Sequence, residues 1–204
     1  MALIVIDIQN DFCTGGALAV KEGEQIIASV NRLIDRAKCV VASQDWHPED
    51  HFSFADNHHG QQPFSMIEAD YGSQVLWPKH CVQGSQGAQF HKDLMIDKAQ
   101  LIVRKGFRKE IDSYSAFFEN DHKTPTGLDG YLKSRAISRL LLVGLATDYC
   151  VAYSALDAVK LGYSVQVALD CCRAIDLDGS YEKALNEMRA QGIELIENSD
   201  NLLR

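Results

Sequence analysis

The chain has 204 residues, of which 46% are hydrophobic and 24% charged, as is ordinary for a globular protein. Its 20 basic and 28 acidic residues give a net charge of −8, and no Lys/Arg cluster stands out, which argues against nucleic acid as a partner. The apolar start ends at Asp7, too early for a signal peptide or a membrane span. Six cysteines form no CxxC pair, and adjacent Cys171 and Cys172 cannot easily both join disulfides. We therefore expect free thiols in a reducing cytoplasm.

Apolar runs alternate with segments of helical periodicity along the chain. Six strands are predicted, over residues 2–6, 39–43, 101–104, 139–145, 163–169 and 193–196. Helices are predicted over 22–37, 129–137, 148–161 and 179–190. This alternation is typical of an α/β fold, with a doubly wound, mainly parallel six-stranded sheet and helices on both faces. The length predicts one domain, residues 1–204.

Residues 44–100 show little periodicity and are rich in His, Gly, Pro and Gln. Loops of that length are uncommon in compact domains and usually carry function. In open α/β sheets, active sites lie beyond the carboxyl ends of the strands. Because Asp7, Asp45, Lys105 and the segment 146–150 each follow a predicted strand, we expect them at one edge of the sheet.

Cys150 lies at a strand-to-helix turn, after Thr147 and Asp148, which are helix-capping residue types. Free N–H groups and the helix dipole favour a thiolate there and can hold an oxyanion, although a small buried hydrophobic residue is the alternative. Asp7 is suited to move the thiol proton to a leaving amine, unless it only caps a turn. Lys105 would help keep the Asp7 carboxylate and the Cys150 thiolate ionised, unless it is a solvated surface group like most lysines. The three side chains together suit acyl transfer from an amide.

A second candidate cluster consists of Asp45, His47 and the distant His80. D-x-H directly after a strand lets both side chains turn toward one point, which a further His can close. Two imidazoles and one carboxylate, with positions left for water, suit Zn²⁺, Fe²⁺ or Mn²⁺. The alternative is a polar, His-rich loop. Phe12 and Trp77, which can equally be core residues, are suited to sandwich a flat ring.

Five segments resemble the nicotinamidases of the isochorismatase-like cysteine hydrolase superfamily, in that family's order from residue 2 to about residue 158. They are ALIVIDIQNDFCTGGAL, SQDWHPEDHFSF, LWPKHCVQGSQGAQF, VRKGFRKEIDSYSAFF and LLLVGLATDYCVAYSALDA. The resemblance implies a triad of Asp7, Lys105 and Cys150, with Cys150 as nucleophile and Asp7 as its base. It also implies an oxyanion hole of the Ala146 and Cys150 N–H groups, with Ala146 contacting substrate. The peptide bond between Leu145 and Ala146 is cis in similar proteins.

The same resemblance implies that Asp45, His47 and His80 bind one divalent transition metal per chain, with zinc favoured over iron or manganese. Phe12 and Trp77 would flank a pyridine ring whose nitrogen reaches the metal. Some relatives place a fourth His ligand six residues after the D-x-H histidine. Since His51 is only four residues after His47, we expect it outside the metal's ligand shell, bonded to a metal-bound water. The segment between Lys105 and Tyr114 is longer than in some relatives, so no substrate contact is assigned to Tyr114.

The activity that the resemblance implies is hydrolysis of nicotinamide to nicotinic acid and ammonia, in NAD salvage, through a thioester on Cys150. Pyrazinamide is expected as a second substrate. The alternatives are a carbamoyl-amide hydrolase or isochorismatase of the same superfamily, and a non-catalytic metal-binding or redox-sensing thiol protein. The expected partners are a small-molecule substrate and, in a homo-oligomer, further copies of the chain.

Overall fold

The structure is a computed structural model, and it describes residues 1–203. The strands are β1 (Ala2–Ile6), β2 (Val40–Asp45), β3 (Met66–Ala69), β4 (Gly72–Val75), β5 (Leu101–Lys105), β6 (Arg139–Leu145), β7 (Ser164–Arg173) and β8 (Glu194–Ile196). The α-helices are α1 (Ile27–Arg36), α2 (Leu128–Ser134), α3 (Ala152–Lys160) and α4 (Ser180–Ala190). Short helical turns precede α1, α3 and α4.

Six of the strands form one sheet in the order β5-β2-β1-β6-β7-β8, and every pairing in it is parallel. From β1 the chain moves outward to β2, whereas from β6 it moves outward in the opposite direction to β7 and β8. Because parallel crossovers are right-handed, α1 covers one face of the sheet while α3 and α4 cover the other. The predicted doubly wound, six-stranded α/β fold is confirmed.

The order of the strands reverses between β1 and β6, at the centre of the sheet. All residues of β1 and β2 are buried, and so are all but the first of β6. Gly144 lets β6 approach β1 closely there, because its φ is +127° and a Cβ atom would lie 2.1 Å from the Ile6 carbonyl oxygen. Open α/β sheets bind ligands at this point, beyond the carboxyl ends of the strands.

Several elements differ from the sequence prediction. The stretch 44–100 contains the antiparallel hairpin β3–β4, with Met66 paired to Val75. Strand β7 continues past residue 169 to Arg173, and the predicted helix over 22–37 begins as a 3₁₀ turn at Gly23–Ile26. The sequence does not predict this hairpin, because its strands are short and their residues, MIEA and GSQV, do not alternate between apolar and polar types.

No helix in residues 1–203 is both long and apolar enough to cross a lipid bilayer.

Candidate active site

The carboxyl ends of four neighbouring strands bring the predicted polar residues to one edge of the sheet. Asp45 and Lys105 are the last residues of β2 and β5 and are register partners. Asp7 directly follows β1, and it takes a left-handed backbone conformation with φ +46°. The turn that carries Cys150 directly follows β6. The sheet topology therefore gathers these side chains from residues far apart in the chain.

Lys105 is fully buried at the centre of this group. Its Nζ lies 2.9 Å from Asp7 Oδ2 and 2.6 Å from Asp45 Oδ1, and it donates a 2.8 Å hydrogen bond to the Ser113 carbonyl oxygen. The same Nζ is 3.5 Å from Cys150 Sγ. Burial alone lowers the pKa of Lys105, but the carboxylates of Asp45 and Asp7 outweigh it and hold that pKa well above its usual value. Lys105 is therefore a fixed positive charge beside the thiol.

Asp7 and Cys150 share the buried space next to that charge. Burial raises the pKa of Asp7, with Lys105 opposing the shift and Asp45 adding to it, while Ser43 Oγ donates a 2.7 Å hydrogen bond to Asp7 Oδ1. Burial also raises the pKa of Cys150 well above its usual value; Lys105 opposes this, and the two carboxylates reinforce it. The direction of this shift favours the neutral thiol, whereas the helix terminus and Lys105 favour the thiolate. Asp7 has a raised proton affinity, as a base for that thiol requires.

The turn of Cys150 differs in detail from the predicted capped helix. Residues Thr147–Val151 form a single π-helical turn, and α3 follows it. Ala146 precedes this turn and has no side-chain cap, and the peptide bond that joins it to Leu145 is cis, as the resemblance implies. The backbone N–H groups at the start of a helix lack intrahelical acceptors, so this turn can supply donors to an anion.

Asp148, predicted as a helix-capping type, holds a different segment instead. Its carboxylate oxygens accept hydrogen bonds from the backbone N–H groups of Ile175, at 3.0 Å, and Asp176, at 2.8 Å. Both residues follow β7. Asp148 therefore fixes the loop that places Ile175 in the wall of the cavity beside Cys150.

Asp45, His47 and His80 form a buried group whose ligand atoms lie close enough together to hold one metal ion. Asp45 Oδ2 is 3.2 Å from His47 Nε2 and 3.5 Å from His80 Nε2. The Nδ1 atoms donate to backbone oxygens, His47 to Gly106 at 2.9 Å and His80 to Pro78 at 2.7 Å. These bonds fix the tautomer that leaves each Nε2 lone pair facing the carboxylate, as in histidine metal sites. The donor set fits a divalent transition metal.

The electrostatics of this group also attract a cation. Burial lowers the pKa of His47, but the Asp45 carboxylate outweighs it and raises that pKa above its usual value. The ring is packed against Gly106, whose φ is +65° and where a Cβ atom would lie 2.4 Å from the His47 ring. Phe54 packs against the rings of both His47 and His80. Phe54 and Gly106 were not among the predicted site residues.

His51 lies next to this group, with its ring centroid 4.3 Å from that of His47. Its Nδ1 hydrogen bonds to Ser53 Oγ at 2.8 Å, and burial, with His47 adding to the effect, lowers the pKa of His51 to about 4. His51, His47 and Asp112 form a second group of close ligand atoms, which shares His47 with the first. His51 does not belong to the group formed with Asp45 and His80.

A small cavity opens beside the thiol and the histidines. It is lined by Phe12, Leu18, Asp45, His47, Trp77, His80, Asp112, Tyr114, Ala146, Tyr149, Cys150 and Ile175. Phe12, Trp77 and Ala146 are thus all lining residues. Tyr114 lines it as well, and its hydroxyl accepts a 3.0 Å hydrogen bond from Trp77 Nε1. Asp112 and Tyr149 were not among the predicted site residues, although both lie in segments that carry the resemblance.

The comparisons with known proteins agree with this geometry. Residues 1–200 match the family model described as the isochorismatase domain. The nicotinamidase of Acinetobacter baylyi is 54% identical to this chain over 99% of it and 94% of the relative. A solved nicotinamidase and pyrazinamidase from Acinetobacter baumanii is 57% identical, with a TM-score of 0.97 over 98% of this chain and 97% of the other.

Two further similar structures contain ligands. The pyrazinamidase of Pyrococcus horikoshii, solved in complex with zinc, is 37% identical, with a TM-score of 0.79 over 97% of this chain and 98% of the other. A protein of L. infantum in complex with nicotinate is 38% identical, with a TM-score of 0.85 over 97% and 92% of the two chains. From the match over residues 1–200 and these identities, the chain belongs to the isochorismatase family.

Proposed function

We propose that this protein is a nicotinamidase, which hydrolyses nicotinamide to nicotinate and ammonia and also acts on pyrazinamide. The observation that carries the proposal is the buried contact of Lys105 with Asp7 and Cys150, beside a cavity with aromatic walls. The identity of 54% to a nicotinamidase over 99% of the chain supports it.

In the proposed reaction Cys150 is the nucleophile and Asp7 moves the protons. Cys150 Sγ attacks the carboxamide carbon while Asp7 accepts the thiol proton, and the carbonyl π electrons move to the oxygen. The N–H groups of Ala146 and Cys150 donate hydrogen bonds to that oxyanion. As the carbon–nitrogen bond breaks, Asp7 gives its proton to the nitrogen, ammonia leaves, and a thioester on Cys150 is left.

Water completes the proposed cycle. It attacks the thioester carbon while Asp7 accepts one of its protons, and the carbon–sulfur bond then breaks. The proton passes from Asp7 to Sγ, which restores the thiol and releases the acid. Lys105 keeps its charge throughout and stabilises the anionic forms of Asp7 and Cys150 in turn.

In the proposed complex, the pyridine ring of the substrate lies on the side of the cavity formed by the histidines and the aromatic residues. Asp45, His47 and His80, from the region 44–100, would hold the metal, and zinc is favoured because a similar pyrazinamidase was solved with it. When bound there, a divalent ion supplies a Lewis-acid contact for a ring nitrogen. Phe12 and Trp77 bury the ring faces and exclude water from the reacting carbon.

The test measures ammonia release from nicotinamide, pyrazinamide and N-carbamoylsarcosine. Turnover of the first two, and loss of about 10⁶-fold in kcat for Cys150→Ala, are expected. Cys39→Ala is the matched control, because Cys39 is a free cysteine that does not line the cavity. Mass spectrometry of quenched wild-type enzyme should find the nicotinoyl adduct on Cys150. Near-normal ammonia release by Cys150→Ala would refute the proposed nucleophile, and a preference for N-carbamoylsarcosine would refute the substrate.

A further inference from the structure

Asp112 is a cavity residue that the proposed reaction does not use. Its side chain is buried, with 2% of the residue exposed, and it belongs to the cavity wall. Oδ1 accepts a hydrogen bond from the Ser113 N–H and Oδ2 accepts one from Gln74 Nε2, both at 2.8 Å. Within residues 1–203, Asp112 takes part in no salt bridge: ring nitrogens of His47 and His51 come within 4.8 Å of its carboxylate, but no Lys, Arg or His nitrogen lies within 4.0 Å. A buried carboxylate with hydrogen bonds but no counter-ion calls for an explanation.

The net charge of the whole site supplies an explanation for this buried carboxylate. Lys105 and a divalent ion held by Asp45, His47 and His80 would together carry three positive charges. Asp7 and Asp45 carry only two negative charges. Asp112 supplies the third and makes the site neutral overall. Without Asp112, the site would keep one net positive charge around whatever fills the cavity.

The substrate and the product of the proposed reaction differ in charge. Nicotinamide is neutral, whereas nicotinate is an anion near pH 7, because a carboxylic acid titrates near pH 4. A site with a net positive charge would hold the anion more tightly than the neutral amide, and the product would leave slowly. A negative charge in the wall opposes that retention.

We propose that Asp112 is a specificity-determining residue, which disfavours the anionic product relative to the neutral substrate. The proposal rests on the proposed function, since it needs a neutral amide that is converted to an acid. Two unit charges about 8 Å apart, at an effective dielectric constant of about 20, change a dissociation constant by roughly thirtyfold. Because solvent screens part of this, removal of the charge should change nicotinate affinity by at least about fivefold.

The experiment uses metal-loaded protein with the Cys150→Ala substitution, so that both ligands bind without reacting. Calorimetry gives the dissociation constants of nicotinamide and nicotinate, and their ratio is compared before and after Asp112→Asn. We expect nicotinate to bind at least about fivefold more tightly to the Asp112→Asn protein, with nicotinamide changed less than about twofold. Asp112→Glu should keep the original ratio, because it keeps the charge. Asp157→Asn is the matched control, since Asp157 is a buried carboxylate outside this cavity.

Each outcome bears on a different claim. If Asp112→Asn leaves the ratio of the nicotinamide and nicotinate dissociation constants unchanged, or lowers both affinities equally, the role of Asp112 is overturned. The proposed function then stays intact. Failure of the Cys150→Ala protein to bind either ligand would overturn the proposed function and the inference with it. If Asp112→Asn does not fold, a changed ratio in Asp112→Glu would itself contradict the charge argument.

Discussion

Lys105→Met removes the ammonium that touches both Asp7 and Asp45, and it nearly preserves the length of the side chain. At an effective dielectric constant of about 20, unit charges 2.9 Å apart interact by about 6 kcal/mol, part of which offsets desolvation. Removal of one partner from a buried ion pair typically costs about 3–5 kcal/mol. Since the free energy of unfolding of native proteins is about 5–15 kcal/mol, we expect a folded but much less stable protein.

Urea unfolding in the presence of a chelator measures this loss without a contribution from bound metal. Lys98→Met is the matched control, because Lys98 Nζ lies 2.5 Å from Asp35 Oδ1 but both side chains are largely exposed. An exposed ion pair is screened by solvent, so the control should change the unfolding free energy little. The comparison separates the effect of burial from that of the contact distance.

The loss in Lys105→Met should also depend on pH. In the wild type, Lys105 and His47 outweigh burial and hold the pKa of Asp45 well below its usual value, which stabilises the fold above the unfolded pKa near 4. In the variant, burial and mutual repulsion of the two carboxyls act without Lys105, and both raise the folded pKa values. A raised carboxyl pKa destabilises the fold at higher pH, so the loss should be larger at pH 7.5 than at pH 5. A loss below about 1 kcal/mol, or one that does not change with pH, would refute this account of Lys105.

Three further predictions concern the metal group and the ring. His80→Ala should lose the metal, as measured by elemental analysis, whereas His51→Ala should keep it; equal loss would place His51 among the ligands. Gly106→Ala should weaken metal binding, because its Cβ atom would lie 2.4 Å from the His47 ring; an unchanged metal affinity would contradict this. Benzamide, which lacks the ring nitrogen, should show a kcat/KM at least roughly a hundredfold below that of nicotinamide. Similar values for the two amides would mean that the metal does not recognise the ring.

The central strands were predictable because strands that are buried on both faces have continuous apolar sequences. β1 and β6 match their predicted bounds to the residue, since each is a continuous apolar run that ends at a polar or turn residue. The hairpin β3–β4 has no such sequence. Its buried Gln74 is stabilised by hydrogen bonds to Asp112 and Tyr114, about forty residues later in the chain, and periodicity does not report on such contacts.

The grouping of Asp7, Lys105 and Cys150 was predictable for a topological reason, because the carboxyl ends of adjacent parallel strands meet at one edge. The part of the cavity wall formed by Asp112 and Tyr114 was not predictable in this way. Asp112 and Tyr114 come from an irregular segment between β5 and α2, whose path depends on Ser113 accepting from Lys105 and on Gln74 donating to Asp112. Such a path is set by single hydrogen bonds between distant residues.

The protonation state of Cys150 depends on the same buried geometry and bears on how the thiol reacts. A helix terminus and a nearby lysine favour a thiolate in isolation, but burial and two carboxylates outweigh them and raise the pKa of Cys150. Burial raises the pKa of Asp7 as well, which is the direction that a proton acceptor for the thiol requires. In the proposed reaction, transfer of the proton to Asp7 accompanies attack on the bound carbonyl, and the N–H groups of the turn stabilise the developing oxyanion. Because the thiolate is the form that oxidants and alkylating agents attack, a raised pKa of Cys150 disfavours those reactions in the absence of substrate.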